Sequence, residues 1–316
     1  MFNKLFKAFS KRKDEPSIDL SLGYTRLNEF KTWLKEGNYA SFEEQYDQLD
    51  WDARTLLNEG VGLDSSCSDN IEKWVKQRPE SYIAQLFAGV SCTKLAWVAR
   101  TAAAGADVSE ARAQKFFEWL EQAADHLKAA DELNPNDAEI CARTIRVYMG
   151  LGVEKEVVQT FFDAAVQEEP NHLMAHLMMI NYLNPKWRGS LEEMYDFANS
   201  RYSETNNSLL VTLLLFAITE EWNYYNMTDH NENADSFFKN EELKSTVKEM
   251  YADYTEADKG KLLIPYVYNY FSFLLYQFGE KELSKQAISK MNGKLTIYPW
   301  AYLGIESNKE LQSLKF

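Results

Sequence analysis

Leu127-Lys-Ala-Ala-Asp-Glu-Leu-Asn-Pro-Asn136 returns, 35 residues later, as Phe162-Asp-Ala-Ala-Val-Gln-Glu-Glu-Pro-Asn171. Each copy ends an amphipathic helix, turns at Pro-Asn and opens another helix, because proline has no N–H with which to extend a helical ladder. The second helices correspond as well: Ile140, Ile145 and Tyr148 recur as Ala175, Ile180 and Leu183. A helix hairpin of this size cannot bury both of its apolar faces alone, so neighbouring hairpins must stack. The repeat therefore predicts an all-α fold, a right-handed α-α solenoid of antiparallel helix hairpins.

The helical period extends outward from this centre. Leu27, Phe30, Trp33 and Leu34 mark one amphipathic helix, Phe42, Tyr46 and Leu49 a second, and Ile71, Trp74 and Val75 a third that Pro79 closes. Tyr82 to Ala104 and Ser109 to Leu133 read as two long helices, with Ala106-Asp107-Val108 between them and Ser109 as N-cap. Downstream, helices are expected over Leu209–Tyr225, Glu241–Tyr254, Lys261–Phe278 and Glu280–Met291, with Asp229–Asp235 as a polar loop. The best strand candidate, Leu295 to Tyr298, is short and runs into Pro299. With only 13 Gly and 7 Pro in 316 residues, the chain lacks the frequent turns of an all-β sandwich. Aromatic residues at 14% and hydrophobic residues at 45% exclude disorder for most of it.

The small and large apolar residues of the second helix, followed by proline, resemble the tetratricopeptide repeat (TPR). Ala123, Leu127, Ala130 and Pro135 hold those places in one unit, and Val158, Phe162, Ala165 and Pro170 in the next. Ile71, Trp74 and Pro79 mark a looser, earlier unit. The glycine usual on the first helix is replaced by Ile145 and Ile180, so the units are TPR-like, not consensus repeats. A narrower likeness lies in Asn184-Pro-Lys-Trp-Arg-Gly-Ser-Leu-Glu-Glu-Met194, which follows Pro170-Asn-His172 and His176. Upstream stand Ala96-Trp-Val-Ala-Arg100 and Ala129-Ala-Asp-Glu-Leu-Asn-Pro135. Together these resemble a bacterial TPR-like family filed as domain of unknown function 4034, over about residues 25–280. The resemblance implies an all-helical TPR-like α-α solenoid and no established activity.

Lys and Arg number 34 against 48 Asp and Glu, a formal charge of −14. That balance opposes nucleic-acid binding and favours attraction to basic partners. Residues 217–258 carry eleven acids and three bases. The start of the chain is the reverse: Lys4, Lys7, Lys11, Arg12 and Lys13 stand with no acid, beside Met1, Phe2, Leu5, Phe6 and Phe9 at helical spacing. Residues 1–20 are read as a basic amphipathic tail, with membrane contact conceivable only through residues 1–13. Residues 21–291 are read as one TPR-like domain, and 292–316 as a C-terminal cap. The longest apolar run, Leu209 to Ile218, falls well short of the roughly 20 residues of a membrane span. Three cysteines, Cys67, Cys92 and Cys141, without close pairing suit thiols in a reducing cytoplasm, and a cytoplasmic location is expected.

No nucleotide-binding, nucleophile-elbow or Cys–His signature occurs, so no catalytic residues are assigned and no cofactor is expected. Adjacent acids such as Glu43/Glu44, Glu192/Glu193 and Glu220/Glu221 read as helix surface. Arg143 and Arg146, three apart on one helix face, point to a groove, with Met174, Leu177 and Asn181 in comparable places in the next unit. Trp187, Arg188 and Gly189 form a turn at its edge, and Trp and Arg are frequent binding hot spots. Trp222, followed by Tyr224 and Tyr225, marks an aromatic group beside the acidic stretch. His172 and His176, four apart on a helix, are weak candidates for metal binding, lacking a third ligand in the pattern.

The expected function is non-catalytic protein–protein recognition, with a peptide or helix held in the groove of a helical scaffold. One alternative is an immunity-type inhibitor or adaptor for a basic bacterial toxin, suggested by the acidic charge. Another is a metal-dependent enzyme using His172 and His176.

Overall fold

Sequence rules for helix ends account for the architecture almost hairpin by hairpin. This computed structural model describes residues 18–100, 109–204, 208–228, 231–254 and 261–314, and every regular element among them is helical. The basic tail and the Ala106–Val108 connection lie outside the described residues.

By internal contacts the chain falls into two compact units. Residues 23–182 form the first; residues 183–314, with 18–22, form the second. In the first unit, α1 (Leu27–Glu36), α2 (Tyr39–Asp47) and α3 (Trp51–Leu57) lead into a π turn at Asn58–Gly62 and then α4 (Ser68–Gln77). Four regular helices follow: α5 (Tyr82–Arg100), α6 (Glu110–Leu133), α7 (Ala138–Leu151) and α8 (Lys155–Glu168), with α9 (Leu173–Tyr182) closing the unit. Each packs on its neighbour, and α9 also packs on α7. Ser109 takes the N-cap position of α6, its carbonyl accepting from the N–H groups of Arg112 and Ala113.

The 35-residue repeat holds down to single hydrogen bonds. Asn134 N–H donates to Ala130 O, and Glu169 N–H donates to Ala165 O at the equivalent places. Asp137 caps α7 by accepting from Ile140 N–H, and His172 caps α9 by accepting from Ala175 N–H through Nδ1. Ala123, Leu127 and Ala130 are buried, as are Val158, Phe162 and Ala165. The residues that recur are therefore those that cap and those that pack.

An aromatic group centres the first unit: Phe42 lies 4.8 Å from Phe30, 4.6 Å from Trp74 and 5.3 Å from Phe87, ring centre to ring centre. Gly89 lets α5 and α6 close in; a Cβ there would stand 2.6 Å from Leu127 Cγ.

The second unit contains α10 (Leu191–Glu204), α11 (Val211–Met227), α12 (Asn231–Phe237), α13 (Glu241–Asp253), α14 (Ile264–Gln277), α15 (Lys281–Lys290) and the short α16 (Asn308–Gln312). The expected polar loop at Asp229–Asp235 is, from Asn231 on, the helix α12, pinned by Ala234 and Phe237, both buried. Leu295–Tyr298 is no strand. Asn269 of α14 holds this stretch, donating to Lys294 O and Pro265 O and accepting from Thr296 N–H and Trp300 Nε1–H. Among the described residues no helix is long and apolar enough to cross a membrane.

Candidate functional site

The expected groove residues divide when placed in the structure. Arg143 is 4% exposed, Met174 5% and Leu177 8%, all interior positions. For Arg143 the cause is visible: α3 and the π turn lie over the first turns of α7 and α9. Arg143 Nε donates to Glu139 Oε2 at 3.1 Å, and its Nη1 is paired with Glu59 of the π turn. Glu139, fully buried, accepts from Thr55 Oγ1 and lies 3.2 Å from His172 Nε2 through Oε1. Since Nδ1 of His172 accepts the cap hydrogen bond, Nε2 is the ring nitrogen that faces Glu139. Arg54 pairs with Asp137 at 3.3 Å and lies over the ring of Trp51, which meets His172 edge-on at 5.6 Å.

Burial works against every charge in this cluster. It raises the Glu139 carboxyl, but Arg143, His172 and Thr55 outweigh it and bring the group down to about 2. Burial lowers Arg143, and Glu139 and Glu59 reverse that, so the guanidinium sits above its ordinary value. Asp137 goes the other way: burial holds it above the usual carboxylate value despite the Ile140 N–H and Arg54. A buried network of ion pairs and hydrogen bonds joins α3 and the π turn to α7 and α9.

Arg146 behaves differently. It is half-buried, its guanidinium 5.4 Å from the ring centre of Trp97 on α5 and its Nη1 4.0 Å from Met178 Sδ on α9. Asn181 Nδ2 lies 3.5 Å from Met149 Sδ beside them. Trp97 is half-buried, carries Arg100 at 5.7 Å as well, and stands next to Val98, 62% exposed. An aromatic ring, a thioether and guanidinium groups thus meet across α5, α7 and α9. Trp97 was legible only as part of a motif; nothing in its spacing ties it to Arg146.

The expected metal pair is committed to packing. His172 is the α9 cap just described. His176 is buried, meets Phe162 edge-on at 5.2 Å and has Nδ1 3.0 Å from His172 O. Among the described residues no group of three or more His, Cys, Asp or Glu is placed to hold a metal ion.

In the second unit, the turn at Asn184–Ser190 is built around Glu220, which the sequence pattern put on a helix surface and which is only 4% exposed. Glu220 Oε2 accepts from Asn184 Nδ2 at 2.8 Å and Lys186 Nζ at 2.7 Å, and Oε1 accepts from Tyr302. Gly189 is required: a Cβ there would lie 2.0 Å from Leu183 O. Trp187 is half-buried in this turn and Arg188 is exposed. Trp222 is half-buried too, ringed by Phe238 at 5.3 Å, Phe273 at 5.8 Å and Tyr302 at 6.3 Å, so it packs within the unit.

Residues 23–176, just under half of the chain, match the model of the family described as Domain of unknown function (DUF4034). The match spans the buried ion network and stops before the Asn184–Ser190 turn. Comparison with curated proteins and with solved structures finds no match.

Proposed function

We propose that this chain is a non-catalytic protein-recognition module of TPR-like helix hairpins, and that it holds a peptide or helix of a partner on the face of α5, α7 and α9. The observation that carries this reading is the meeting of Trp97, Arg146 and Met178 on three helices, next to an exposed Val98. Trp, Met and Arg are enriched at protein interfaces, and Trp and Arg among their hot spots. The repeat supports it as well, since stacked hairpins present the same helix position side by side. On this reading the binding face leaves out Arg143, which is buried against Glu139 and Glu59.

The test is capture of partners from the native host by the tagged full chain, repeated with Arg146→Glu and Met178→Lys. Both side chains are partly exposed, so the variants keep the fold by circular dichroism. The expected result is loss of one dominant partner with both. Retention of every partner by both folded variants sinks the assignment.

The acid excess of residues 217–258 favours a second, narrower reading, inhibition or adaptor binding of a basic bacterial toxin. It predicts a partner that dissociates as salt rises. Tight association indifferent to salt counts against it.

A further inference from the structure

Glu221 of α11 is held on two sides. Its Oε2 accepts from Tyr195 Oη at 2.6 Å and its Oε1 from Tyr225 Oη at 3.0 Å. Burial, then the neighbouring carboxylate, pushes the Tyr225 phenol up to about 12, and the same causes raise Tyr195. Both phenols therefore donate, and the carboxylate is oriented as an acceptor with a lone pair left on each oxygen.

This carboxylate opens onto a cleft of about 400 Å³ between α11, α12 and the start of α13, lined also by Tyr225, Asn233, Ser236, Phe237 and Asn240. Tyr225 and Phe237 make its aromatic wall, with ring centres 6.1 Å apart and planes inclined at 56°. The Leu243 N–H of the lining is not available for an anion, because it donates to Asn240 Oδ1. What remains is one pre-oriented carboxylate, two aromatic rings, the Leu243 side chain, and amide and hydroxyl groups. That set matches a cation: rings attract it through their quadrupole, and a carboxylate accepts its N–H donors. The surrounding stretch, eleven acids to three bases, adds attraction of the same sign.

We infer that this cleft receives a lysine or arginine side chain presented by a protein partner, with Glu221 as its counter-charge and Tyr225 and Phe237 as its walls. The inference rests on the reading of the chain as a protein-recognition module, and it names a second contact point, chemically unlike the face of α5, α7 and α9.

The experiment is calorimetric titration of the full-length protein with hexalysine and hexaarginine peptides, at low and moderate salt. Four forms are compared: wild type, Glu221→Gln, Ser236→Arg and Asp253→Asn. Ser236 is exposed at the lip of the cleft, so the arginine places the protein's own cation there. Asp253→Asn makes a charge change of the same size on an exposed site outside the lining. The expected result is at least a tenfold weaker association for Glu221→Gln and Ser236→Arg, and less than a twofold change for Asp253→Asn. Should Glu221→Gln unfold, because two phenols lose their acceptor, Ser236→Arg still decides. Equal weakening by Ser236→Arg and Asp253→Asn overturns the inference, since the peptide then senses charge alone. So does an absence of binding at millimolar peptide. The outcome is separate from the capture experiment: Arg146→Glu leaves peptide binding at Glu221 unchanged, so either result can fail while the other holds.

Discussion

At the scale of one residue, two positions decide how much the surrounding structure tolerates. Gly189 stands where a Cβ meets backbone, which cannot swing aside as a side chain does. Gly189→Ala is expected to cost about 2–3 kcal/mol, in the range of overpacked sites, read as a lowered urea midpoint with unchanged slope. Arg143 is the other. Removing it strands Glu139 without its main counter-charge, and Arg143→Met is expected to cost about 3–5 kcal/mol. The sign of the pH dependence gives a sharper check. In the wild type, Glu139 is held at about 2, below its unfolded value. Its contribution is present above the ordinary carboxylate range and is lost as pH falls through that range towards 2. Without Arg143, only His172 and Thr55 oppose burial, so the carboxyl rises from its wild-type value and less of this contribution remains to be lost as pH falls. Asp137, itself raised, contributes with the opposite sign in both proteins and cancels in the comparison. The cost of Arg143→Met should therefore shrink between about pH 6 and 3, measured by urea titration at each pH. A cost that stays constant would mean Glu139 does not lean on Arg143.

At the scale of elements, the sequence carries what is periodic and local. Pro135 and Pro170, with the apolar residues before them, mark both hairpins, and the equivalent caps Asp137 and His172 fall at the same offset. Two His at helical spacing signal a metal pair, yet the 35-residue offset sets His172 at the place of Asp137, the N-cap of α7. The cap makes a prediction: His172→Asn keeps a side-chain acceptor for Ala175 N–H, and His172→Ala does not. Both lose the Glu139 contact, so the difference isolates the cap, and the alanine variant should be less stable by about 1 kcal/mol in thermal or urea unfolding. What stayed hidden is long-range and non-periodic. Thr55 and Glu59 reach Glu139 and Arg143 from more than 80 positions away. Glu220 looks like one half of an exposed acidic pair until Asn184, Lys186 and Tyr302 are brought to it. The polar composition of helix α12 points to a loop, whereas the buried Ala234 and Phe237 hold it in place. Asn269 belongs to the same class. Four groups from three places in the chain meet its one amide. Asn269→Ala leaves Trp300 Nε1 and Thr296 N–H without acceptors. It should cost on the order of 3 kcal/mol and raise hydrogen exchange over residues 294–303 before the helices of that unit respond.

At the scale of the whole molecule, the acids outnumber the bases by 14, and no local pairing removes that excess. Like-charge repulsion across the surface opposes a compact chain and falls as salt shortens the screening length. Exposed ion pairs such as Lys76–Glu72 and Lys128–Glu132 respond in the opposite sense, since salt weakens their attraction. Pairs of that kind contribute only a few tenths of a kcal/mol each. The buried pairs around Arg143 and Glu139 are screened much less. Repulsion is the term that salt changes most. Raising NaCl from about 0.02 to 0.2 M should therefore lift the midpoint of thermal unfolding by about 2–4 °C, with most of the gain below 0.1 M. Scanning calorimetry at a series of salt concentrations reads this directly. A midpoint that falls as salt is added would mean that the exposed pairs, not the net charge, govern the surface. A basic partner then could not be attracted by an unpaired excess of acids. The same titration thus tests the electrostatic premise on which attraction of a cationic partner depends, before any partner is identified.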